Sequence, residues 1–405
     1  MKKRIKILVS GSKGFIGSNI SSYLANKKYE LFGVDVKDIK ENRYYNIDLA
    51  KKTDTKKLID KINPDIIIHT VGLSSLKACE ENPSLAEKIN IKTTTNITDA
   101  IKNKSCKLIF ISSDYVFEGN KGNYKECDQT RPKTIYGKNK LEAERYIKKN
   151  LKKYIIIRTS NVYGNGGGGF FNFIKENLEN KQKLFIYKDT FYTPTHVEDI
   201  VKSIDIMIVK NINGIYHIAG NTKESRYTFA QKIAQCFKHD LKLIIPIDKP
   251  KGDPASMDSS LNNKFAQKIL EYKFLTTNDG LKKTKIFYRK NKPYFIKKDL
   301  RGLIYGISNN KTWKEINYIE SKNKVIRGNH YHKKTYEGFY IISGKIKVTL
   351  EDIRSKDTES FSAEKGDIFT INPYEIHTFT MLKKSSWINM LTIPIDPKKP
   401  DIYEK

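Results

Sequence analysis

Cysteine, arginine and long apolar runs are all scarce in this chain of 405 residues. The four cysteines lie far apart in the sequence, and no two have the spacing of a metal or redox pair. Reduced thiols and a cytoplasmic location are therefore expected. No run approaches the roughly 18 apolar residues of a membrane span, so no membrane association is predicted. The basic start is soon interrupted by Ser10 and Gly11, which favours a first strand over a signal peptide.

The formal net charge of +30 at first suggests a nucleic-acid partner. Only ten of the 75 basic residues are arginine, however, and arginine is the side chain favoured for reading bases. The lysines are spread along the whole chain instead of forming one stripe. Nucleic acid is therefore not expected as a partner, whereas anionic cofactors and nucleotide sugars would be attracted by the same charge.

The first half of the chain alternates between predicted strands and predicted helices. Apolar β-runs occur at residues 5–9, 30–34, 65–70, 107–112 and 154–158. Helical patterns separate them, at residues 16–24, 54–62, 86–102 and 138–150. Because parallel strands need crossover helices, this alternation predicts an α/β fold with a doubly wound parallel sheet. The predicted domain spans residues 1–288, with a smaller substrate lobe at about 164–280.

The pattern changes after residue 284. Residues 285–293 are predicted as a basic connector. Short β-rich runs follow, separated by turn residues, at 314–320, 339–342, 346–350, 368–371 and 386–393. This pattern predicts an all-β sandwich or barrel of the jelly-roll type over residues 294–405.

A glycine-rich turn after the first strand predicts a dinucleotide site. Gly11 would permit the tight turn, Gly14 would let backbone amides approach a pyrophosphate, and Gly17 would let the helix pack on the sheet. Asp35 ends the next strand, where a carboxylate that binds ribose belongs. It favours NADH, although nearby Lys37 keeps NADPH open. Further expected cofactor contacts are Phe15, Ile16, Val71 and Gly72. Asp48 and Leu49 are expected beside the adenine, and a simple turn is the alternative interpretation of these two residues.

Tyr136 and Lys140 lie one helical turn apart, so their side chains share one face of a helix. An ammonium there could lower the pKa of the phenol and also reach a nicotinamide ribose. Such a phenol is a usable acid for a carbonyl oxygen that gains negative charge as hydride arrives. A catalytic role for this pair is supported by Ser113, a hydroxyl residue that ends the fourth predicted strand.

Residues 5–290 resemble the extended short-chain dehydrogenase/reductases, and most of all the dTDP-4-dehydrorhamnose reductase branch. The resemblance is carried by the glycine turn and by residues 64–69, 112–119, 131–140, 158–164 and 214–220. It implies a catalytic triad of Ser113, Tyr136 and Lys140 and reduction of a 4-keto-6-deoxy sugar nucleotide with NADH or NADPH. It also implies that Asp114, Tyr115 and Arg158 bind substrate. Asn161 replaces the aromatic residue of that branch.

Several alternatives stay open for these residues. Ser112 could supply the functional hydroxyl instead of Ser113, and Asp114 with Tyr115 could merely cap the strand end. Arg158 ends an apolar strand and could be structural. His69 and His217 lie on apolar strands and are interpreted as core histidines.

A second pattern concentrates three of the seven histidines near the C-terminus. His330 and His332, followed by Glu337 and later by His377, have the spacing of four metal ligands on neighbouring β-hairpins. Three imidazoles and a carboxylate suit Zn²⁺ first, and also Mn²⁺, Fe²⁺ or Ni²⁺. A divalent metal site is therefore predicted in the second domain.

Residues 294–405 resemble the metal-containing cupin half of bifunctional capsular polysaccharide enzymes, in which a sugar-nucleotide reductase is joined to a 3-epimerase. Residues 327–332 and the tail at 400–403 carry this likeness. Metal-free 3,4-ketoisomerase cupins are also similar, but they lack the carboxylate found here at Glu337. The resemblance implies a bifunctional, homodimeric enzyme for surface polysaccharide synthesis that epimerises C3 of a 4-keto sugar before reducing C4.

Two enzymatic rivals remain at this stage. In the first, the N-terminal domain is a reductase and the cupin only binds sugar or promotes dimerisation. In the second, the N-terminal domain is a nucleotide-sugar epimerase or dehydratase that retains its NAD. A binding or regulatory protein without turnover is a third possibility.

Overall fold

The computed structural model describes residues 4–291, 293, 295–299, 302–308, 312–396 and 398–404. The chain divides into two compact units, Met1–Thr284 and Lys285–Lys405. The predicted connector includes Lys292 and the predicted second domain begins at Tyr294, and both of these residues lie outside the described part. None of the helices in the described part combines the length and apolarity that crossing a bilayer requires.

The first unit contains thirteen strands among its described residues, several of them only two residues long. They are β1 (Lys6–Ser10), β2 (Glu30–Asp35), β3 (Tyr44–Asn46), β4 (Ile66–His69), β5 (Lys107–Ser113), β6 (Tyr154–Thr159), β7 (Val162–Tyr163), β8 (Leu184–Tyr187), β9 (Phe191–Tyr192), β10 (Thr195–His196), β11 (Gly214–His217), β12 (Glu224–Ser225) and β13 (Ile244–Ile247). Seven of them form a sheet in the order β11-β6-β5-β4-β1-β2-β3. All neighbouring pairs in this sheet are parallel. The doubly wound parallel sheet is thus confirmed.

Helices connect these strands. They are α1 (Phe15–Ala25), α2 (Lys52–Ile62), α3 (Leu76–Glu81), α4 (Pro83–Glu87), α5 (Thr93–Ile101), α6 (Ile135–Asn150), α7 (Gly169–Glu179), α8 (Val197–Lys210), α9 (Arg226–Phe237), α10 (Lys264–Leu270) and α11 (Thr277–Arg289). Short 3₁₀ turns occur at Asp114–Val116 and Leu241–Leu243. The helix predicted at 86–102 is in fact α4 and α5 joined by a π-helical turn at Lys88–Lys92. The short strand pairs β7–β10, β8–β13 and β9–β12 lie within the predicted substrate lobe.

Alternating side chains of the sheet build two separate cores. Ile7 and Val9 of β1 pack on one face with residues of α1 and α8, whereas Leu8 packs on the other face with residues of α2, α5 and α6. Both faces are therefore covered, which explains why the strands consist almost entirely of apolar residues.

The second unit is β-rich. Its strands are β14 (Lys290–Asn291), β15 (Phe295–Asp299), β16 (Gly302–Gly306), β17 (Glu315–Ser321), β18 (Ile326–Tyr331), β19 (Glu337–Ser343), β20 (Lys345–Asp352), β21 (Thr358–Glu364), β22 (Ile368–Ile371), β23 (Glu375–Met381), β24 (Ser385–Leu391) and β25 (Tyr403–Glu404). Two five-stranded sheets have the orders β14-β22-β19-β24-β17 and β21-β20-β23-β18-β25. All of the pairings within them are antiparallel. Buried aromatic and aliphatic side chains such as Phe369 and Trp387 form the core.

Two sequence expectations about this unit were wrong in detail. The predicted basic connector is helical as far as Arg289, the last residue of α11, and its next two residues form β14. The sequence pattern also missed strands β14, β15, β16, β18, β21, β23 and β25. In β21 only Phe361 and Ala363 are buried between polar residues, so the apolar signal of this strand is weak.

Candidate active site and candidate metal centre

A cavity of about 630 Å³ opens at the carboxyl ends of β1, β4, β5 and β6. This is the edge of a parallel α/β sheet at which ligands bind. Of the predicted cofactor contacts, the cavity is lined by Gly14, Phe15, Ile16, Gly72, Tyr136 and Lys140. The predicted catalytic and substrate residues Ser113, Asp114 and Tyr115 line it as well.

The glycine turn is closely packed. Gly11 has a φ of +69°, and a Cβ there would lie 2.7 Å from the Oγ1 atom of Thr70. A Cβ on Gly17 would lie 2.1 Å from the carbonyl oxygen of Gly11, so α1 could not approach β1 this closely with a larger residue. Gly14 is the N-cap of α1 and provides no side-chain cap, which leaves the first amides of the helix free for an anion. These features fit a dinucleotide pyrophosphate.

Asp35 lies beside this turn at the end of β2. Its carboxylate accepts hydrogen bonds from the backbone amides of Lys13 (3.0 Å) and Val36 (2.8 Å). The Nζ atom of Lys37 donates to the carbonyl of Lys13 at 3.4 Å. A carboxylate and an ammonium therefore both adjoin the turn, and the geometry leaves the choice between NADH and NADPH open.

The remaining predicted cofactor residues do not line the cavity. Leu49 is buried in the core beneath α2 and α5, which argues against its contact with adenine. Asp48 accepts the amide of Ala50 at 2.9 Å, as a simple turn would require, and pairs with Lys88 at 3.5 Å. Val71 packs against the same core as Leu49.

Ser113, Tyr136 and Lys140 converge on the cavity from two elements. Ser113 ends β5, and the two others lie in the first turns of α6, which Thr134 caps by accepting the amide of Gly137 at 3.0 Å. The Ser113 and Tyr136 side chains both line the cavity. The Nζ atom of Lys140 donates to the carbonyl of Ile111 at 3.0 Å and lies 6.0 Å from the centre of the Tyr136 ring. The three groups are thus arranged around one end of the sheet.

The expected lowering of the phenol pKa is not observed. Burial raises the pKa of Tyr136 far above its usual value, with the Ser113 hydrogen bond acting against this shift. Burial also lowers the pKa of Lys140, to about 8. The Lys140 ammonium is directed to the Ile111 carbonyl, so it does not offset the desolvation of the phenol. Tyr136 is therefore held as a protonated donor.

The carboxylate of Asp114 is buried among three serines. It accepts hydrogen bonds from the hydroxyls of Ser113 (2.9 Å), Ser160 (2.7 Å) and Ser259 (2.6 Å). Burial raises its pKa, although the three hydroxyls act in the opposite direction. Asp114 thereby fixes the orientation of the Ser113 hydroxyl next to Tyr136.

Arg158, predicted as a substrate contact, is not among the residues that line the cavity. It is only 3% exposed and forms an ion pair with Glu144, with Nη2 2.7 Å from Oε2. Ser112 donates to the same carboxylate at 2.5 Å. The structural interpretation of Arg158 therefore fits the geometry better. Because the Ser112 hydroxyl is engaged by Glu144, Ser113 is the better candidate for the functional hydroxyl.

His69 and His217 are fully buried in the first unit. His69 contacts the hydroxyls of Ser10 at 2.6 Å and Thr94 at 3.1 Å, and burial lowers its pKa to about 3. The Nδ1 atom of His217 lies 3.0 Å from the carbonyl oxygen of Tyr124. Both positions agree with their interpretation as core histidines.

Two residues of interest were not singled out from the sequence: Arg226, which lines the cavity, and Asn90, which contacts a loop next to it. Arg226 is the first residue of α9; its guanidinium lies 5.6 Å from the Phe170 ring, and its buried Nε has no hydrogen-bond partner. Asn90, in the π-helical turn, accepts the amide of Leu73 at 2.8 Å and donates to its carbonyl at 3.1 Å. It thereby fixes the loop beside Lys140. Arg226 could have been noticed because arginine is scarce here, whereas a lone asparagine gives no comparable signal.

The second unit brings the four predicted metal ligands together. One ring nitrogen from each of His330, His332 and His377 lies within 4.8 Å of the others. The Oε2 atom of Glu337 is 3.3 Å from Nε2 of His332 and 3.2 Å from Nε2 of His377. Gly328 and Asn329, both with positive φ, form a bulge in β18 immediately before His330. This bulge aims His330 at the cluster.

The surroundings of the cluster fit a bound cation. His332 donates through Nδ1 to the carbonyl of Asp401, and the Nδ1 atom of His377 lies 3.2 Å from the carbonyl of Glu375. These contacts leave the Nε2 lone pairs free. Asn389 donates to Oε1 of Glu337 at 3.1 Å, which directs Oε2 toward the imidazoles. Nε2 of His332 and Oε2 of Glu337 are buried and form no hydrogen bond, although they lie 3.3 Å apart; a bound cation, or a proton shared by the pair, would satisfy both atoms.

Fold and site together define the first unit as a Rossmann-like α/β domain. Residues 5–285 match the RmlD substrate binding domain, and the chain belongs to this family. Residues 297–403 match the model described as the polysaccharide biosynthesis C-terminal domain. That description does not name a cupin, so the predicted cupin jelly roll is not confirmed by it.

The chain is similar to proteins named as dTDP-4-dehydrorhamnose reductases and to a polysaccharide biosynthesis protein. It is 30% identical to a dTDP-4-dehydrorhamnose reductase of Aggregatibacter actinomycetemcomitans, over 56% of this chain and 76% of that protein. It is 31% identical to the spore coat polysaccharide biosynthesis protein SpsK of Bacillus subtilis, over 57% of this chain and 78% of that protein. A solved dTDP-4-dehydrorhamnose reductase of Bacillus anthracis in complex with NADP is 25% identical, with a TM-score of 0.65, over 70% of this chain and 99% of that chain.

Proposed function

We propose that the first unit reduces the C4 ketone of a nucleotide-linked 4-keto-6-deoxy sugar, using NADPH or NADH, for polysaccharide synthesis. The observation that carries the proposal is the convergence of Ser113, Tyr136 and Lys140 on one cavity beside the glycine turn. The names of the related reductases support the class of substrate. The NADP in the related solved structure supports the type of cofactor.

The reaction needs a proton donor beside the ketone. A reduced nicotinamide would supply hydride when bound. The Tyr136 hydroxyl, kept protonated by burial, would donate to the carbonyl oxygen. Ser113 would give that oxygen a second hydrogen bond by turning its hydroxyl hydrogen away from Asp114, which accepts it in the structure. Lys140 would contact the cofactor ribose, and its ammonium would have to turn from the Ile111 carbonyl to stabilise the phenolate left behind. Asp114 would accept the Ser113 hydroxyl hydrogen until the substrate binds.

Arg226 would bind the anionic part of the substrate. It is a cavity-lining guanidinium with an unpartnered buried Nε, and it lies within 3.5 Å of the Tyr115 hydroxyl. Because the Tyr115 ring contacts that of Tyr136, Arg226 belongs to the same binding space as the proposed acid. A guanidinium there suits a diphosphate, which it can bind through two hydrogen bonds at once.

For the second unit we propose a cupin-like jelly roll with a divalent metal, zinc first, that epimerises C3 of the same 4-keto intermediate. His330, His332, Glu337 and His377 would be the ligands, supported by their mutual distances and by the unpartnered buried atoms among them. The bound metal would supply Lewis acidity for removal and return of the proton beside the ketone. A cytoplasmic location and a homodimer stay predictions.

Each half of the proposal has its own assay. The full-length protein is incubated with a panel of nucleotide-linked 4-keto-6-deoxy sugars, and oxidation of NADPH or NADH is followed by absorbance. In deuterated water without cofactor, exchange of the C3 hydrogen reports epimerisation. A variant with His330→Ala and His332→Ala should lose exchange, whereas His239→Ala should keep it.

The outcomes separate the competing functions. Unchanged exchange in the double histidine variant would remove the epimerase claim and leave a reductase with a non-catalytic second unit. Turnover that proceeds on retained NAD, without added reductant, would favour an epimerase or dehydratase. No turnover with any substrate of the panel would leave a binding protein.

A further inference from the structure

The end of the chain folds back onto the histidine cluster. β25 pairs with β18, so that Glu404 lies opposite His330 and Tyr403 lies opposite Tyr331. The rings of Tyr403 and Tyr331 stack at 5.4 Å, and the Lys333 ammonium lies 4.0 Å from the centre of the Tyr403 ring. This pairing holds the tail against β18, which contains His330 and ends just before His332.

Asp401 makes two kinds of contact in this tail. Its carbonyl accepts the Nδ1 hydrogen of His332. Its carboxylate accepts three successive backbone amides, those of Lys333 (3.1 Å), Lys334 (2.9 Å) and Thr335 (2.9 Å), together with the Thr335 hydroxyl at 2.9 Å. One residue thus contacts both a proposed ligand and the turn that follows it.

We propose that Asp401 is a positioning residue for the metal centre, an inference that rests on the proposed function of the second unit. The carbonyl fixes the tautomer and rotation of His332, so that its Nε2 presents a lone pair to the cluster. The carboxylate fixes the turn at 333–335, which separates His332 from Glu337. Through these contacts Asp401 sets the distance between two ligands, now 3.3 Å from Nε2 to Oε2.

The alternative is that Asp401 only stabilises the end of the fold. The two roles differ in what they change. A purely structural residue alters the unfolding of the metal-free protein but leaves the metal affinity of the folded protein alone. A positioning residue changes the affinity and the ligand field even under conditions where the protein is fully folded.

The test measures metal binding by the full-length protein and not only its activity. Asp401→Asn keeps the backbone carbonyl and one of the two side-chain acceptor oxygens. Asp401→Ala keeps only the backbone carbonyl. A chain ending at Pro400 loses the carbonyl and the carboxylate. Zinc affinity is measured by equilibrium dialysis against a competing chelator, and the absorption spectrum of bound Co²⁺ reports the ligand geometry. Asp396→Asn is the matched control, because this exposed carboxylate lies in the same tail and accepts the amide of Lys398.

We expect the zinc affinity to fall in the order wild type, Asp401→Asn, Asp401→Ala and truncated chain, with a loss of about 10- to 100-fold for the truncated chain, which lacks the carbonyl that accepts the Nδ1 hydrogen of His332. The Co²⁺ spectrum should change in parallel, and the control should match the wild type. Equal affinities and spectra for wild type and both substitutions would overturn the inference, as would a change confined to thermal unfolding. If Asp401→Ala does not fold, the zinc affinity and Co²⁺ spectrum of Asp401→Asn are compared with those of the wild type instead. A wild type that binds neither metal would instead refute the metal centre itself.

Discussion

Arg158 and Glu144 form a bidentate ion pair in the interior of the first unit, with Nη2 2.7 Å from Oε2 and Nε 3.0 Å from Oε1. The guanidinium also lies 5.1 Å from the Phe117 ring. Because Arg158 belongs to β6 and Glu144 to α6, the pair ties the sheet to the helix that carries Tyr136 and Lys140. It acts as a support of the site and not as part of its lining.

Removing one partner of this pair should destabilise the protein strongly. Glu144→Ala leaves the Arg158 charge buried and unpaired, and a loss of about 3–5 kcal/mol in the free energy of unfolding is expected. Urea denaturation measures the change. Glu142→Ala, an exposed position on the same helix, is the control and should change little. Equal stability of the two variants, with an altered KM for the sugar nucleotide in Glu144→Ala, would instead favour a substrate role for Arg158.

The glycine turn should not tolerate a methyl group at residue 17. In Gly17→Ala the new Cβ would lie 2.1 Å from the carbonyl oxygen of Gly11, so α1 must move away from the turn. We expect NADPH affinity, measured by fluorescence titration, to fall at least about tenfold, the equivalent of 1.4 kcal/mol. Ser22→Ala, at an exposed position later in the same helix, is the control and should leave the NADPH affinity unchanged. Normal cofactor binding by Gly17→Ala would contradict this account of the turn.

Arg226 should govern affinity for the charged part of the substrate. Arg226→Leu removes a charge-assisted contact worth about 1.5–3 kcal/mol, so KM should rise about 10- to 100-fold while cofactor binding is kept. Steady-state kinetics with varied sugar nucleotide measure the effect. Arg145→Leu removes an exposed arginine elsewhere and should leave KM unchanged. Similar KM values in both variants would mean that Arg226 does not contact the substrate.

The rate of ketone reduction should decline at alkaline pH. Lysine carries its charge below its pKa, and burial lowers the pKa of Lys140 to about 8. The ammonium is therefore lost as the pH rises through about 8, and kcat/KM should fall above that value. A Lys140→Arg variant, slower overall, should lack this decline because a guanidinium stays charged. The same alkaline decline in both proteins would assign it to another group.

The sequence allowed prediction of those parts of the site that lie within short segments. Tyr136 and Lys140 are neighbours on one helical turn, and Ser113 could be located because a buried strand ends there. The same holds for His330 and His332, whose spacing already limits their geometry. Local periodicity and turn chemistry are enough for such groups.

Features that depend on distant packing could not be predicted. Arg226 reaches the cavity from a helix that begins 90 residues after Tyr136, and Asn389 meets Glu337 only because β24 pairs with β19. The direction of the Tyr136 pKa shift was predicted wrongly, since spacing to Lys140 says nothing about burial. Arg158 could be resolved as a structural residue only once its partner Glu144 was known.

The central claim is that Tyr136 is the proton donor in the reduction of a sugar ketone. The most direct measurement compares kcat/KM for a 4-keto-6-deoxy sugar nucleotide in the wild type, Tyr136→Phe and Tyr146→Phe, the last being a tyrosine on the same helix that hydrogen-bonds Asp99. Tyr136→Phe should lose about 10²- to 10⁴-fold with NADPH binding retained, and Tyr146→Phe should stay close to the wild type. Full reductase activity in Tyr136→Phe would contradict the account.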